Sequence, residues 1–241
     1  MSEPGQTWDR LSRLFSGEED VQGIPPAAAD NILLAWPPIL AWLRELYPAP
    51  QGRRALDFGC GAGHFTAKLR ELGFDALGMD SSSAMMATAR RLFPGLAFQS
   101  GDIEALQGRP PFDVVAAIMV LQFIPDLKAT AQALDRVLKP GGLLAFAVFN
   151  PAFVQRLLEA GMLFKDFDSP TPPRRGIMEL VEGVAVPVFI RSEEEYRALF
   201  ARLGYTCALV ARPPFTAEFL RRYPVPFPTD EPEFLILGFQ K

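Results

Sequence analysis

Between Leu56 and Gly63 the chain reads Leu-Asp-Phe-Gly-Cys-Gly-Ala-Gly, a glycine-rich turn set between a short apolar run and a helical one. Glycines at such a junction let the backbone bend sharply and approach a ligand with no Cβ in the way. The helix that follows points unpaired N–H groups at an incoming anion. The surroundings of the turn are regular. Arg54–Phe58 reads as a strand, His64–Leu72 as a helix ended by Gly73, Asp75–Met79 as a strand, Ser83–Phe93 as a helix stopped by Pro94 and Gly95, and Leu96–Ser100 as a third strand. Phe112–Val120 has the near-continuous hydrophobicity of a strand buried on both faces. Leu127–Leu138 is a helix ended by Pro140-Gly141-Gly142, and Leu143–Phe149 is a fifth strand. This alternation predicts an α/β fold: a Rossmann-like, doubly wound, mostly parallel sheet with helices on both faces.

The flanks depart from that rhythm. Residues 1–50 read as an N-terminal helical extension: Trp8, Leu11, Leu14 and Phe15 recur at helical spacing, and Ala27–Leu46 is broken or restarted at Pro37 and Pro38. Residues 151–191 form an inserted segment after strand five, with a helical piece over Phe153–Leu163, a Pro-rich turn from Ser169 to Gly176 and a β-like run over Val184–Ile190. Residues 192–241 return to a helix, Ser192–Leu203 with Ser192 as N-cap, and two strands, Thr206–Ala211 and Phe234–Phe239, that bring the sheet to seven. The expectation is one domain over 1–241, with 51–150 as the cofactor-binding half and 1–50 and 151–191 as lids.

Composition narrows the function. No run reaches the roughly 18 apolar residues of a membrane span. Met1 to Asp9 carries acidic and polar residues where a signal peptide has a basic start, so a cytoplasmic location is expected. The net charge is −4, with none of the basic excess of a nucleic-acid binder. Two cysteines, Cys60 and Cys207, cannot make a zinc site by themselves, and with a single histidine, His64, a His pair or His metal cluster is excluded. Oligomeric state is open.

Three acids follow the first three strands. Asp80 ends strand two, 80 − 59 = 21 residues after the first glycine, where a carboxylate accepts from ribose hydroxyls. Yet the sixth position of a G-x-G-x-x-G pattern is His64, and Asp57 lies two residues before the first glycine. An acid there suits a cationic amine better than a pyrophosphate. Asp102, after strand three, can accept from an adenine amino group. The set fits a nucleoside carrying an amino-acid tail.

These motifs resemble those of a class I S-adenosylmethionine-dependent methyltransferase of the small-molecule kind, from about Arg53 to Phe149. Further likenesses are Asp80-Ser-Ser-Ser-Ala-Met85, Phe112–Asp126 and Leu138-Lys-Pro-Gly-Gly142. The resemblance implies S-adenosylmethionine as cofactor, with Asp57, Gly59, Gly61 and Gly63 at its methionine end, Asp80 at the ribose, Met85 beside the adenosine, Asp102 with the backbone of Ile103 at adenine, and Cys60, Ser81 and Met119 as further cofactor-binding residues. Cys60 also reads as a small buried residue, and Met85 and Met119 as core.

Many relatives have a His just after strand four, where this chain has Gln122. Gln orients an acceptor but cannot deprotonate it, so methyl transfer would run mainly by proximity and desolvation. A carboxylate, amine, thiolate or activated carbon then fits better than a neutral alcohol. Gln122, Phe149 and Asn150 are expected at the floor of the acceptor pocket, Trp8 and Trp36 over the sulfonium, and Arg174 and Arg175 either as a clamp on an anionic acceptor or as a solvated turn tip. The alternatives are a carboxyl methyltransferase acting on a carrier-bound acyl group and a non-catalytic cofactor-binding subunit.

Overall fold

The computed structural model describes residues 8–10, 12, 24–181 and 184–241. The helical spacing of Leu11, Leu14 and Phe15 lies outside the described residues. In chain order the elements are α1 (Trp36–Leu46), β1 (Arg54–Phe58), α2 (His64–Leu72), β2 (Asp75–Asp80), α3 (Ser83–Leu92), β3 (Ala97–Ser100), β4 (Phe112–Ile118), α4 (Leu127–Val137), β5 (Leu138–Phe149), α5 (Pro151–Glu159), β6 (Phe164–Lys165), β7 (Arg174–Val181), β8 (Val184–Ile190), α6 (Glu193–Ala201), β9 (Thr206–Ala211), α7 (Ala217–Arg222) and β10 (Phe234–Gln240).

Seven strands form one sheet in the order β3-β2-β1-β4-β5-β10-β9. It is parallel from β3 to β5, and β10 runs antiparallel between β5 and β9. The expected seven-stranded, mostly parallel, doubly wound sheet is therefore present. Period-2 alternation sorts its side chains. Leu56, Val115, Phe146, Leu237 and Phe239 face α4 and α6 through Leu134, Tyr196 and Phe200. Ala55, Val114, Ala145 and Ile236 face α1 and α2 through Ile39, Leu43, Phe65 and Leu69.

Local signals account for most boundaries. Ser192 and Glu195 make a reciprocal capping box at the start of α6. Gly73 closes α2 in a left-handed conformation. Pro37 and Pro38 do not break a helix: they occupy the first turn of α1, where the missing N–H is harmless. The five residues before it, Asn31–Ala35, form a π-helical turn that the apolar periodicity did not reveal.

Two expectations are corrected. Pro140-Gly141-Gly142 does not simply follow a helix, because β5 already begins at Leu138 and carries an irregularity in its pairing with β4. The segment after β5 is richer in strand than expected: β6, β7 and β8 form a separate antiparallel sheet, packed with α5 around Phe153, Phe164, Met178 and Val188. Arg174 and Arg175, expected on a turn, open β7 and pair with Ile190 and Phe189.

Candidate active site

The strand order reverses between β1 and β4, and at such a point an open α/β sheet has its ligand crevice. A hollow of about 580 Å³ lies there. The bend after β1 forms its base. Gly59 and Cys60 donate their backbone N–H groups to Met79 O at 2.8 and 2.9 Å, and Gly61 N donates to Asp80 Oδ2 at 2.9 Å. Gly59 has φ +73°, and a Cβ there would stand 2.3 Å from Val120 Cγ2, so this position requires glycine. Gly61, at φ +52°, has open space where a Cβ would project, which leaves the backbone bare toward the hollow.

Asp57 is buried at the end of β1 and accepts from Thr66 Oγ1 at 2.6 Å. Burial pushes its carboxyl up to about 7, with the Asp80 charge adding to the rise and the Thr66 bond opposing it. Burial raises Asp80 as well, against the N–H donors of Ser82 and Gly61. Burial lifts the Cys60 thiol well above its usual range, which fits a small buried residue and not a nucleophile. Asp102 accepts from Glu104 N at 3.2 Å and caps the turn that starts at Ile103.

Of the residues singled out from the sequence, Asp57, Gly59, Cys60, Gly61, Asp80, Ser81, Met85, Asp102, Met119, Trp8, Trp36 and Phe149 line the hollow together. Others stand elsewhere. Gly63 faces β3 and α3, where a Cβ would meet the Phe98 ring at 2.7 Å and Ala89 Cβ at 3.2 Å. Ile103 turns its side chain into the core. Gln122 is buried in the turn after β4, where its Nε2 donates to Met119 Sδ at 3.6 Å. Asn150 caps α5 by accepting from Ala152 N and donates to Pro232 O at 2.9 Å. Neither Gln122 nor Asn150 lines the hollow. Arg174 is buried under the inserted sheet, bonded to Gln155 Oε1 and Pro170 O and stacked on Phe167. Arg175 is exposed over Phe189. Neither arginine lines the hollow: the Arg174 guanidinium is engaged within the insert, and Arg175 stands exposed on it.

The N-terminal segment reaches the site. Asp9 accepts from Ser82 Oγ at 2.6 Å and Ala84 N at 3.0 Å, and these bonds hold its carboxyl below the usual range. Trp8 packs edge-on against Phe123. His64 also lines the hollow and stands edge-on to Phe93.

Sequence reasoning missed two lining acids, Asp30 and Glu233, which hydrogen-bond to each other. The available signals were an acid at the mouth of the Ala27–Leu46 helix and an acid directly before an apolar strand.

A family model described as a methyltransferase domain matches residues 29–210. The chain belongs to that family of class I S-adenosylmethionine-dependent methyltransferases. Among curated relatives, it is 39% identical over 140 residues to trans-aconitate 2-methyltransferase of Methylobacterium nodulans, covering 57% of this chain and 48% of that one. It is 37% identical over 113 residues to ubiquinone biosynthesis O-methyltransferase of Methylococcus capsulatus, covering 44% and 48%. The chain spans about half the length of the curated relatives it matches. A solved S-adenosylmethionine-dependent methyltransferase from Mesorhizobium loti superposes with a TM-score of 0.63 at 22% identity, over 83% of this chain and 96% of that one. DhpI, solved as a SAM–HEP complex, superposes with a TM-score of 0.62 at 21% identity over 100% of both chains. These two likenesses concern the fold.

S-adenosylmethionine is the cofactor of the family, and the hollow suits it. Its acidic lining residues are Asp30, Asp57, Asp80, Asp102 and Glu233, with no Lys or Arg among the described ones. Such a lining favours a cation, and the bare backbone at Gly61 gives room for close approach.

Among the described residues no helix is long and apolar enough to cross a membrane, and no cluster of His, Cys, Asp and Glu could hold a metal ion.

Proposed function

We propose that this protein transfers the methyl group of S-adenosylmethionine to a small-molecule acceptor, and that the acids at the strand tips hold the cofactor. The observation that carries this reading is the hollow at the β1–β4 switch point, lined by carboxyl groups and aromatic rings. Asp57 and the bend at Gly59–Gly61 would take the methionine end, Asp80 the ribose hydroxyls, and Asp102 with Met85 the adenine. Bound there, the cofactor supplies a methyl group on a sulfonium that departs as a neutral sulfide.

The chain then has no anion to stabilise, and its contribution is orientation and the exclusion of water. Trp8 on Phe123 and the Asp9 bonds to Ser82 and Ala84 support closure of the N-terminal segment over the hollow. Trp36, fixed edge-on to Phe65, presents an aromatic wall. The trans-aconitate and malonyl-[acyl-carrier protein] enzymes among the relatives are named for acidic acceptors. A carboxylate acceptor in this chain would face the acid lining without the help of Arg174 or Arg175.

The test is binding of S-adenosylhomocysteine by calorimetry and by thermal shift. A raised melting temperature and one-site binding are expected, weakened by Asp80→Ala. Absence of binding to purified, ligand-free protein overturns the reading.

A further inference from the structure

Asp30 and Glu233 stand in the wall between two hollows. Both line the cofactor hollow, and both line a second one of about 770 Å³ bounded by Pro26, Phe219, Tyr223 and Phe227. Glu233 is 7% exposed, and its Oε2 has no hydrogen-bond partner among the described residues. Trp36, 6% exposed, lines the cofactor hollow with its indole N–H likewise unpartnered. Buried polar atoms left without partners are costly, and one that lines a hollow is placed to be satisfied by what fills it.

The positions are built. Asp30 accepts from Asn31 N at 2.7 Å at the head of the π-helical turn, which fixes its carboxylate. Glu233 donates no freedom to its backbone: its carbonyl accepts from Asn150 N at 2.8 Å at the carboxyl end of β5. Burial pushes both carboxyls up, Glu233 well up with the Asp30 charge beside it, and two like charges in such close contact disfavour double ionisation, so the pair shares one proton. The pair thus carries one negative charge.

We propose that the Asp30–Glu233 pair is the acceptor site and that the acceptor is an amine, held as its ammonium ion. This rests on the cofactor reading above. The ammonium N–H groups satisfy Asp30 and the orphaned Glu233 Oε2. One proton then passes from the ammonium nitrogen to the Asp30 carboxylate, leaving a neutral pair and a nitrogen whose lone pair is free to take a methyl group. An anionic acceptor is repelled at the same place, and Arg222, the one cation lining the outer hollow among its described residues, lies over the Tyr223 ring.

The test uses protein saturated with S-adenosylhomocysteine and three matched probes that suit the aromatic walls: benzylamine, benzyl alcohol and benzoate. Calorimetry should show benzylamine binding at least about tenfold more tightly than benzyl alcohol, with benzoate weakest, and Asp30→Asn, measured at saturating S-adenosylhomocysteine, should remove that preference. The wild-type ranking needs no variant and stands even if Asp30→Asn fails to fold. Benzoate or benzyl alcohol binding as well as benzylamine, or no benzylamine binding, overturns the proposal. If S-adenosylhomocysteine itself does not bind, the cofactor reading fails first. If it binds and the amine is not preferred, only this inference fails.

Discussion

Gly61 N donates to Asp80 Oδ2 at 2.9 Å, so the bend after β1 is held by the acid that ends β2. The same carboxylate receives Ser82 N at 2.8 Å through its other oxygen. Asp80 therefore shapes the bend besides facing the hollow. Asp80→Ala should weaken S-adenosylhomocysteine binding about tenfold to a hundredfold, the worth of one or two charge-assisted hydrogen bonds. Asp80→Asn should recover only part, because the amide cannot accept at both oxygens. Calorimetry on the two variants checks the order.

Gly59→Ala should be strongly destabilising, by roughly 2 kcal/mol or more, because a Cβ meets Val120 and φ is +73°. The double variant Gly59→Ala with Val120→Ala should regain the steric part and leave the backbone part. A double-mutant cycle from denaturant melts separates the two. Additive effects would show that the contact with Val120 is not the constraint.

Asp57 gives a pH signature. Its folded value of about 7 lies above the unfolded value of about 4, so the folded state binds more protons in between. Its contribution to stability is complete below about pH 4 and is lost as pH rises through about 7. Ligand binding has the opposite slope. If Asp57 faces the cofactor ammonium, affinity should rise between pH 6 and pH 8 as the carboxylate forms. Asp57→Asn should flatten both curves. A binding constant independent of pH across that window would remove Asp57 from the cofactor's amine.

At the other end of the sheet, Asp113 is 2% exposed and receives Arg53 Nη1 at 3.0 Å, Arg54 N at 2.8 Å and Lys139 Nζ at 2.7 Å. Burial pushes its carboxyl up, but these donors more than offset that and hold it below the ordinary range. Asp113→Ala should cost roughly 3 kcal/mol with no change in cofactor affinity. Asp113 stabilises the fold above the usual carboxylate range, and its share is lost as pH falls through its lowered value, the reverse of Asp57. Urea melts at pH 7 and pH 3 check both statements.

Asp9→Ala should speed release of S-adenosylhomocysteine with little effect on the melting temperature. It removes the bonds to Ser82 and Ala84 that tie the N-terminal segment to the start of α3. Stopped-flow tryptophan fluorescence would follow the release, and an unchanged off-rate would show that this segment does not cover the ligand.

The parallel half of the sheet was legible because each of its strands is flanked by helices with clear stops, and because strand, bend and acid lie close together in sequence. Asp57, Gly59, Gly61, Asp80 and Asp102 were visible for that reason. The insert was harder to read. Arg174 and Arg175 follow a run of prolines that reads as a turn, while their true register is set by pairing with Phe189 and Ile190 further along the chain. The Asp30–Glu233 pair was invisible for a related reason. Its partners come from opposite ends of the sequence and meet only through the antiparallel placement of β10 against β5. Gln122 and Asn150 were placed by proximity to strand ends, but the Asn150 amide is engaged by Ala152 N and Pro232 O, and Gln122 Nε2 turns to Met119 Sδ while its Oε1 has no partner among the described residues.

That antiparallel strand has a further effect. Because β10 enters last and brings Glu233 to a crevice whose base is already complete by Phe149, the proposed cofactor and acceptor sites draw on different stretches of chain. If that division holds, substitutions near residues 24–30 and 223–234 should retune what is methylated more than they alter the grip on the methyl donor.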